Sequence, residues 1–533
     1  MDLSVFLTVN LNHKNFILLF CFTTLLCLGQ TRSQNKLAPN IVFIFSDDHA
    51  TNAISAYGGL FEDLAPTPNI DRIASEGALL ENALCTNAIC GPSRASVLTG
   101  KYSHVNGYYK NYKGGVFDNK QWTFPQALKA SGYETALVGK WHLASEPVGF
   151  DYYKYHISKG QQGFYWAPIY NDNGRKITEK GYATNLTTDF ALDWLDSRDQ
   201  NKPFCLLLQY KAPHREWAPD IPYKNLWDSI QMPYPETFDD GYKGREQTAG
   251  STEMTMDYFS RQDMKMTPPN DLSKQKKRKW LHYGFKPGQI VSPSKDLNPQ
   301  QVRQWKYQRY IKDYLATVKS VDDNIGRVLD YLNANGIENN TIVIYSSDQG
   351  FFLGEHGFFD KRFMYEEALH MPFVVRYPGV IKAGTVSDAI ISNIDFAPTL
   401  LDMAGVATPD AVQGQSFYPI LKGQRPKDWQ KSMYYHYYEY PYYHRVQPHY
   451  GVRDQRYKLI HFYYDMDLWE FYDLKKDPME LNNLMGKKAY KGRIKKLKSE
   501  LYRLKKQYGN ELSLEELKYI TETDFGGLES KNK

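Results

Sequence analysis

The sequence is poor in cysteine, in glycine and proline, and in any excess of one charge. Its 533 residues include five cysteines, 37 glycines and 27 prolines, and 65 basic residues stand against 60 acidic ones. So few cysteines exclude a fold held by a disulfide framework, and the glycine and proline content excludes collagen-like and low-complexity chains. A net charge of +5 is too small for the long-range field of a dedicated nucleic-acid-binding protein. The length exceeds that of one hydrophobic core, so we expect a large domain with a smaller companion.

Long apolar runs are also scarce, and the run near the start is too short to span a bilayer. It covers residues 16–28, follows Lys14 and precedes small residues at 29–33. A span needs roughly 20 apolar residues, so the pattern predicts a signal peptide over residues 1–33, with an uncleaved anchor or a lipid on Cys27 as alternatives. We therefore expect an exported protein, periplasmic, secreted or at the cell surface, with no stable transmembrane segment.

Four short apolar runs are typical of strands that are buried on both faces. They cover residues 40–45, 134–138, 204–208 and 341–345. Each run ends directly before polar residues, and in open α/β sheets ligands bind at the carboxyl ends of the strands. Helical patterns lie between the runs, the clearest with apolar residues every three or four positions over 307–332. This alternation predicts an α/β fold with a large, mostly parallel sheet flanked by helices.

The pattern changes twice along the chain. Residues 219–300 are polar and rich in turn formers, which indicates an insertion. Its basic run at 274–279 is interpreted as a solvated loop, with contact to an anionic polymer as the alternative. Beyond residue 424, tyrosine-rich segments predict antiparallel strands followed by an amphipathic helix. We therefore predict a large domain over 34–424 and a small C-terminal α+β subdomain with an antiparallel sheet over 425–533.

One cysteine stands at a predicted helix start. Cys90 opens the string Cys-Gly-Pro-Ser-Arg, in which the proline suits the first turn of a helix. Unpaired N–H groups and the positive end of the helix dipole favour an anion at such a position. From these residues alone, Cys90 is either a nucleophilic thiol of low pKa or a small buried apolar residue.

This string, continued by Leu98-Thr99-Gly100, resembles the signature of the type I sulfatases, and the similarity runs from about residue 40 to 484. The resemblance implies an alkaline-phosphatase/sulfatase-like fold and hydrolysis of a sulfate ester. It also implies that a maturation enzyme oxidises Cys90 to formylglycine (3-oxoalanine), whose hydrated aldehyde is the nucleophile in that family.

A divalent cation is implied at the ends of two of the predicted strands. Asp47 and Asp48 match the first acidic pair of the family, Asp348 and Gln349 match the second pair, and Cys90 stands with them at the metal. Carboxylate and amide oxygens suit Ca²⁺, with Mg²⁺ as the alternative, and argue against zinc. A helix cap after the strand is the alternative for Asp47 and Asp48, but adjacent carboxylates at a strand end repel unless a cation or an arginine compensates them, which favours the metal site.

The remaining matches are cationic and acid–base residues: Arg94, Lys140, His142, His214 and Lys361. The implied roles are sulfate binding by Lys140 and Lys361 and orientation of the nucleophile by Arg94. His214 or Lys361 protonates the departing sugar oxygen, and His142 takes the proton of the second hydroxyl. Lys140 and His142 alternate along a segment that we expect to be extended, so that both side chains point the same way.

The substrate class is suggested by two further segments. Residues 347–366 resemble secreted bacterial glycan sulfatases, both N-acetylglucosamine-6-sulfatase-like and algal-polysaccharide enzymes, and within them His356 is interpreted as a substrate contact or a supporting residue. The tyrosine-rich stretch 434–450 predicts either a sugar-binding rim or a sheet packed on the large domain. We expect a sulfated oligo- or polysaccharide as partner and no nucleic acid. A phosphonate or phosphate ester hydrolase of the same superfamily and a non-catalytic glycan-binding relative are the alternatives. Cys85 and Cys205 could be free or paired.

Overall fold

The computed structural model of the protein describes residues 38–112, 115–260, 263–264, 275 and 293–526. The predicted signal peptide lies outside the described residues, as does the basic run at 274–279 apart from Gln275. From Pro39 onward the described residues form one compact unit. Among them, no helix is both long enough and apolar enough to cross a membrane.

Strands and helices alternate through most of the chain and separate towards its end. The strands are β1 Asn40–Ser46, β2 Ala78–Leu80, β3 Ala83–Leu84, β4 Glu134–Gly139, β5 Tyr152–His156, β6 Ile169–Asp172, β7 Arg175–Thr178, β8 Phe204–Gln209, β9 Thr341–Ser347, β10 Phe352–Leu353, β11 Phe359–Asp360, β12 Phe373–Arg376, β13 Thr385–Ser387, β14 Ile391–Ser392, β15 Ser432–Tyr437, β16 His449–Asp454, β17 Tyr457–Phe462 and β18 Leu468–Asp473. The α-helices are α1 Pro68–Ser75, α2 Cys90–Thr99, α3 Ser103–Asn106, α4 Phe124–Ala130, α5 Ala183–Ser197, α6 Pro299–Ala334, α7 Glu366–Leu369, α8 Phe396–Ala404, α9 Tyr418–Leu421, α10 Lys491–Gln507 and α11 Leu514–Phe525.

The large sheet has the strand order β13-β2-β12-β9-β1-β8-β4-β5-β6-β7. Strands β9, β1, β8, β4 and β5 run parallel to one another. Strand β12 is antiparallel to β9 on one side, and β6 and β7 add antiparallel pairs on the other. The predicted α/β fold is therefore confirmed with its parallel strands at the centre, and the sheet as a whole is mixed.

The four strands predicted from apolar runs are the four neighbours at the centre of this sheet. Pairing sets Phe45 beside Gln209 and Ser46 beside Ser347, so their carboxyl ends lie at one edge. Side chains such as Val42 pack against Val321 of α6 in a shared core. Burial on both faces explains why these strands read as continuous apolar runs.

The long helix α6 carries one support of that edge. Asn298 caps its start by accepting the N–H of Gln301, and its C-terminal end is followed by Gly336, which has a φ of 66°. In its middle, the hydroxyl of Tyr314 donates to the carbonyl of Asp48 (2.8 Å) and accepts the N–H of Ala50 (2.9 Å). The helix predicted over 307–332 is thus confirmed, and it holds the loop after β1.

The C-terminal part is a four-stranded antiparallel sheet, β15-β16-β17-β18, packed against α10. Tyr434 joins the core cluster that contains Leu501 of α10, whereas the next residue, Tyr435, donates its hydroxyl to the carbonyl of Arg362 (2.5 Å). Both faces of β15 are therefore buried. This confirms the small antiparallel sheet, and the domain boundaries at 424 and around the insertion stay predictions.

The cysteines in the described part of the chain are all unpaired. Cys85, Cys90 and Cys205 are free and buried. Of the two states open for Cys85 and Cys205, the structure has the free one, so no disulfide contributes to this part of the fold.

Candidate active site

The predicted site residues meet where the central strands end. Asp47 and Asp48 follow β1, Asp348 and Gln349 follow β9, and Lys140 follows β4. Of the whole predicted set none is more than 7% exposed, so charge interactions among them are weakly screened by water. The residues brought together are Asp47, Asp48, Cys90, Arg94, Lys140, His142, His214, Asp348, Gln349 and Lys361.

Cys90 is the first residue of α2. Its Sγ lies 4.0 Å from Oδ1 of Asp48. One turn away, the hydroxyl of Ser93 donates to the backbone carbonyl of Asp348 and accepts the side-chain amide of Asn393 (2.8 Å). These bonds fasten the helix start to the loop after β9, so the thiol is held at the edge of the acidic cluster.

Arg94 bridges two carboxylates. Its Nε donates to Oδ2 of Asp348 (3.0 Å), and a terminal nitrogen lies 3.8 Å from Oδ1 of Asp47. The other terminal nitrogen donates to Oε1 of Gln209, the last residue of β8 (2.8 Å). Gln209 was not predicted as part of the site, although its place directly after an apolar run was the available signal. Removing Arg94 would leave buried carboxylates without their cation.

Two lysines complete the charge pairing. Nζ of Lys140 contacts Oδ2 of Asp47, and Nζ of Lys361 contacts Oδ1 of Asp48 and lies 3.6 Å from Asp360. Burial works to raise the pKa of Asp47, but Lys140 with other neighbouring cations outweighs it and holds that pKa well below the usual value. Burial works to lower the pKa of Lys361, and Asp48 outweighs it, so that pKa lies well above the usual value.

Two carboxyl groups of the cluster remain poorly compensated. Burial raises the pKa of Asp48 to about 6, and the neighbouring charge of Asp47 adds to the effect. Burial raises the pKa of Asp348 to about 7, again with Asp47 contributing. Carboxylates crowded in this way repel one another unless further positive charge is supplied. The cluster thus favours a bound cation.

Unpartnered oxygens test whether a cation fits here. Within the described residues, Oδ1 of Asp47, Oδ2 of Asp48 and Oε1 of Gln349 are buried and have no hydrogen-bond partner. Carboxylate oxygens of Asp47, Asp48 and Asp348 lie within 4.8 Å of one another. Buried polar atoms are normally hydrogen-bonded, so three orphaned oxygens in one cluster are best explained as ligands. The all-oxygen set fits a hard divalent cation.

The thiol does not have the properties of a thiolate nucleophile. Burial raises the pKa of Cys90 well above its ordinary value, and the negative charge of Asp47 adds to the rise. Burial and the neighbouring carboxylates thus disfavour the low-pKa thiol and favour the interpretation of Cys90 as a buried, un-ionised thiol.

The two acid–base candidates are neutral histidines. His214 contacts a neighbouring residue through Nδ1, and His142 does so through Nε2. Nδ1 of His214 is 2.6 Å from the carbonyl of Arg215, and its Nε2 is 3.8 Å from Oδ2 of Asp48. Nε2 of His142 is 3.3 Å from the side-chain nitrogen of Gln162. Burial, followed by nearby lysine charge for His142, lowers the pKa of both rings well below the usual value.

The local prediction for His142 was wrong. Strand β4 ends at Gly139, and His142 has a φ of 58°, in the left-handed region. The chain turns there, so its side chain reaches the cluster through a turn and not through alternation along a strand. The charges of Lys140, Asp47 and Arg94 act on the pKa of its ring, so the ring lies near these residues.

His356 lies in another environment. Its Nδ1 is 2.8 Å from Oδ2 of Asp240, and its N–H donates to the hydroxyl of Thr237 (2.9 Å). Both partners belong to the insertion, so the buried His356 fastens the insertion to the segment after β10. The contacts support the structural interpretation of this residue and not the interpretation as a substrate contact.

A cationic group surrounds Asp360 beside Lys361. The carboxylate contacts Arg215 (3.2 Å), Arg362 (2.6 Å) and His444 (2.9 Å). The run of charged residues at 360–362 was a signal for Arg362, whereas Arg215 and His444 come from distant segments and carry none. The tyrosines of β15 are buried and cannot contact a sugar, whereas Tyr443, next to His444, is 50% exposed. A sugar-binding rim therefore stays a prediction only for the segment near His444.

Comparisons with known proteins agree with this arrangement. The family model described as Sulfatase matches residues 39–406, and the model described as N-sulphoglucosamine sulphohydrolase, C-terminal, matches residues 354–507. An N-acetylglucosamine-6-O-sulfatase of Bacteroides thetaiotaomicron is 45% identical over 500 residues, which cover 90% of this chain and 88% of the relative.

Solved structures have the same fold. The first is the structure of a protein in complex with its substrate D-glucosamine-2-N,6-O-disulfate. It has a TM-score of 0.82 and 46% identity, and the match covers 89% of this chain and 99% of that chain. A phosphonate monoester hydrolase from Silicibacter pomeroyi has a TM-score of 0.69 at 21% identity, covering 89% and 93%, and shows the shared fold alone. The chain belongs to the sulfatase family.

Proposed function

We propose that the protein is a sulfuric ester hydrolase that removes sulfate from a sulfated glycan, with a 6-O-sulfated glucosamine residue as the substrate unit. The observation that carries the proposal is the 45% identity, over nine tenths of the chain, to an N-acetylglucosamine-6-O-sulfatase. The buried cluster of acidic and cationic side chains supports it, because a sulfate monoester is an anion that such a site can hold.

A divalent cation, Ca²⁺ in our proposal with Mg²⁺ as the alternative, would be held by Asp47, Asp48, Asp348 and Gln349, with the side chain of residue 90 beside it. When bound, the cation supplies positive charge that polarises a sulfate oxygen and makes a neighbouring hydroxyl more acidic. We also propose that Cys90 is converted to formylglycine by a maturation enzyme, which supplies a hydrated aldehyde as the nucleophile.

The chain itself supplies the remaining positive charge. Lys140 contacts Asp47, and Lys361 contacts Asp48. Both can bind sulfate oxygens, where their charge stabilises the developing negative charge. Arg94 holds Asp348 and Asp47 in place, four residues after the nucleophile position on the same helix.

Three groups are candidates for proton transfer, and two of them receive a role. His214 is neutral and its ring proton lies on Nδ1, toward the Arg215 carbonyl, so its Nε2 has no proton to give in this arrangement. Lys361 is charged and its Nζ lies at the acidic pair, so we assign it as the donor to the departing sugar oxygen. His142 has a buried Nδ1 without a hydrogen-bond partner among the described residues, which suits it to accept a proton.

Substrate binding and export complete the proposal. The partly exposed segment 442–445, with Tyr443 stacked near Arg362 (5.4 Å), offers an aromatic face and cations at the edge of the site. Aromatic faces accept sugar C–H surfaces, and cations bind sulfate groups.

We propose that the segment 1–33 directs export to the periplasm, the cell surface or the medium, where the enzyme encounters sulfated glycans.

The test is release of inorganic sulfate by the purified, matured enzyme from a panel of mono- and disulfated glucosamines and galactose sulfates. We expect 6-O-sulfated N-acetylglucosamine to be turned over fastest, and Cys90→Ala to be inactive on every substrate. Equal rates on all sulfated sugars would contradict the substrate assignment, and no sulfate release from any would contradict the function.

The rival function is hydrolysis of a phosphonate ester, because a cluster of cations that binds a sulfate group does not by itself distinguish sulfur from phosphorus. An aryl phosphonate and an aryl sulfate compared under identical conditions separate the two. We expect the sulfate to be preferred, and a preference for the phosphonate by orders of magnitude would replace our proposal with the rival.

A further inference from the structure

A loop between β5 and β6, residues 157–163, touches the surroundings of both candidate acid–base histidines; we name it the strap. At one place Lys159 forms an ion pair with Glu216 (2.9 Å), two residues beyond His214. At another, Gln162 contacts the ring of His142. The strap therefore links the two loops that present these rings.

The neighbouring Gln161 fixes the loop that bears His142. Its Oε1 accepts the N–H of Leu143 (3.1 Å) and the N–H of Ala144 (2.9 Å). Both His142 and Ala144 have positive φ, so this turn needs such external bonds to be held. With the backbone fastened by Gln161, the contact of Gln162 with the imidazole is a defined one.

The contact leaves the two ring nitrogens of His142 in different states. Nε2 is 3.3 Å from the side-chain nitrogen of Gln162, and Nδ1 is buried without a hydrogen-bond partner among the described residues. The oxygen and nitrogen ends of a glutamine amide have nearly the same size and shape, so the contact fits either end. Only the oxygen end can accept a proton carried on Nε2, and that end is favoured because a proton on the buried Nδ1 would have no acceptor among the described residues.

The charges around the ring make the choice of tautomer matter. Lys140, Arg94 and Lys361 face it with one opposing carboxylate, Asp47, and together with burial they keep the ring neutral. A neutral imidazole carries one proton and one lone pair, and its partner decides which nitrogen has which. His214 is already fixed in the opposite sense by the carbonyl of Arg215.

We propose that Gln162 is a positioning residue that selects the tautomer of His142, with its amide turned so that Oε1, in the place of the nitrogen, accepts Nε2–H and the lone pair of Nδ1 faces the reacting group. The catalytic consequence rests on the proposed function, whereas the tautomer is a property of the protein itself. Neither residue 161 nor residue 162 belongs to the motifs that carry the family resemblance.

The proton transfer that this arrangement serves is balanced as follows. Nδ1 of His142 takes the proton of the hydroxyl that remains on the carbon of residue 90. The electron pair of that O–H bond closes the C=O bond, and the bond from the same carbon to the sulfate oxygen breaks. Sulfate leaves with the electron pair of the broken C–O bond, and the imidazolium later returns its proton to water. An Nδ1–H tautomer would have no lone pair to begin this step.

The first test reads the tautomer without any turnover. Protein with an unmodified Cys90 and ¹⁵N-labelled histidine is studied by long-range ¹H–¹⁵N NMR, with His142→Ala to assign the ring. We expect the Nε2–H tautomer in the native protein and a mixture or the other tautomer in Gln162→Leu. An Nδ1–H ring in the native protein, or an unchanged ring in Gln162→Leu, overturns the inference.

The second test uses matched variants of the matured enzyme. Gln162→Leu should lower kcat roughly 10- to 100-fold with little change in KM, as loss of a ring-orienting partner does elsewhere. Gln162→Glu keeps an acceptor oxygen and should restore most of kcat, whereas a role in which the amide nitrogen donates to Nε2 predicts no rescue. Gln200→Leu, at an exposed glutamine, is the control. If the NMR result is as expected but no variant, including the native enzyme, releases sulfate, the proposed function fails and the tautomer assignment stands.

Discussion

The raised pKa values of two carboxyl groups lead to a quantitative prediction for cation binding. Burial raises the pKa of Asp48 to about 6 and that of Asp348 to about 7, in each case from a reference of 3.8. A cation binds the deprotonated carboxylates, so binding must release the protons that these groups hold. At pH 6 the two groups together hold about 1.4 protons, and at pH 8 about 0.1, from the fraction of each group protonated at its pKa.

The sign for stability follows from the same shifts. Because both carboxyl groups are protonated more readily in the folded than in the unfolded chain, their contribution to the stability of the cation-free protein is full below pH 4. It is lost as the pH rises through 6 and 7. The cation replaces the lost protons, so the stabilisation by added Ca²⁺, measured as a rise in Tm, should grow from pH 5 to pH 8.

Calorimetry in two buffers of different ionisation heat measures the protons released. The protein carries Cys90→Ala so that no thiol contributes. We expect release of about one to two protons per Ca²⁺ at pH 6 and nearly none at pH 8. Asp348→Asn should remove most of the release at pH 6. The matched control is Asp322→Asn, since Asp322 is a second buried carboxyl group with a pKa raised to about 6 that instead accepts backbone N–H groups at the start of α1.

Two outcomes would refute this reasoning. Equal proton release at pH 6 and pH 8 would mean that the crowding of the carboxylates does not raise their pKa. Binding of Ca²⁺ with full affinity to a variant lacking both Asp47 and Asp348 would mean that the ligands lie elsewhere.

Three further predictions concern single side chains. Lys361→Ala should slow release of sulfate from a sugar by roughly 10²- to 10³-fold but slow hydrolysis of an aryl sulfate, whose leaving group needs no proton, by much less; equal losses on both would leave it only the role of sulfate binding. Arg94→Ala should lower the free energy of unfolding by about 3–5 kcal/mol in chemical denaturation, because buried carboxylates lose their partner, and a loss below 1 kcal/mol would contradict the pairing. Tyr443→Ala should raise KM for an oligosaccharide several-fold and leave kcat unchanged, and a fall in kcat with constant KM would exclude a role in the sugar rim.

The centre of the fold was predictable because strands that are buried on both faces consist of continuous apolar runs. Each central strand is a continuous apolar run followed by its functional residues, as for Asp47 after β1 and Asp348 after β9. The outer strands were not predictable in direction, because β6 and β7 are short and partly exposed, and side-chain patterning does not encode whether neighbours run parallel.

Within the site, the sequence did not predict contacts between residues that lie far apart along the chain. Gln209 contacts Arg94 from the end of a strand far away in sequence. Gln162 contacts His142 through a turn whose geometry depends on backbone conformation, including the positive φ of His142. The tyrosines of β15 read equally as a sugar rim or as packing, because an aromatic on a strand suits either environment. Only the burial of both faces of that strand distinguishes the two.

The central claim is that this chain removes sulfate from a sugar by means of residue 90. Ion chromatography of free sulfate released from 6-O-sulfated N-acetylglucosamine, by native protein and by Cys90→Ala side by side, tests it most directly. We expect stoichiometric sulfate from the native enzyme and at least a roughly 10⁴-fold slower rate from the variant. Sulfate release at the native rate by Cys90→Ala would contradict the account.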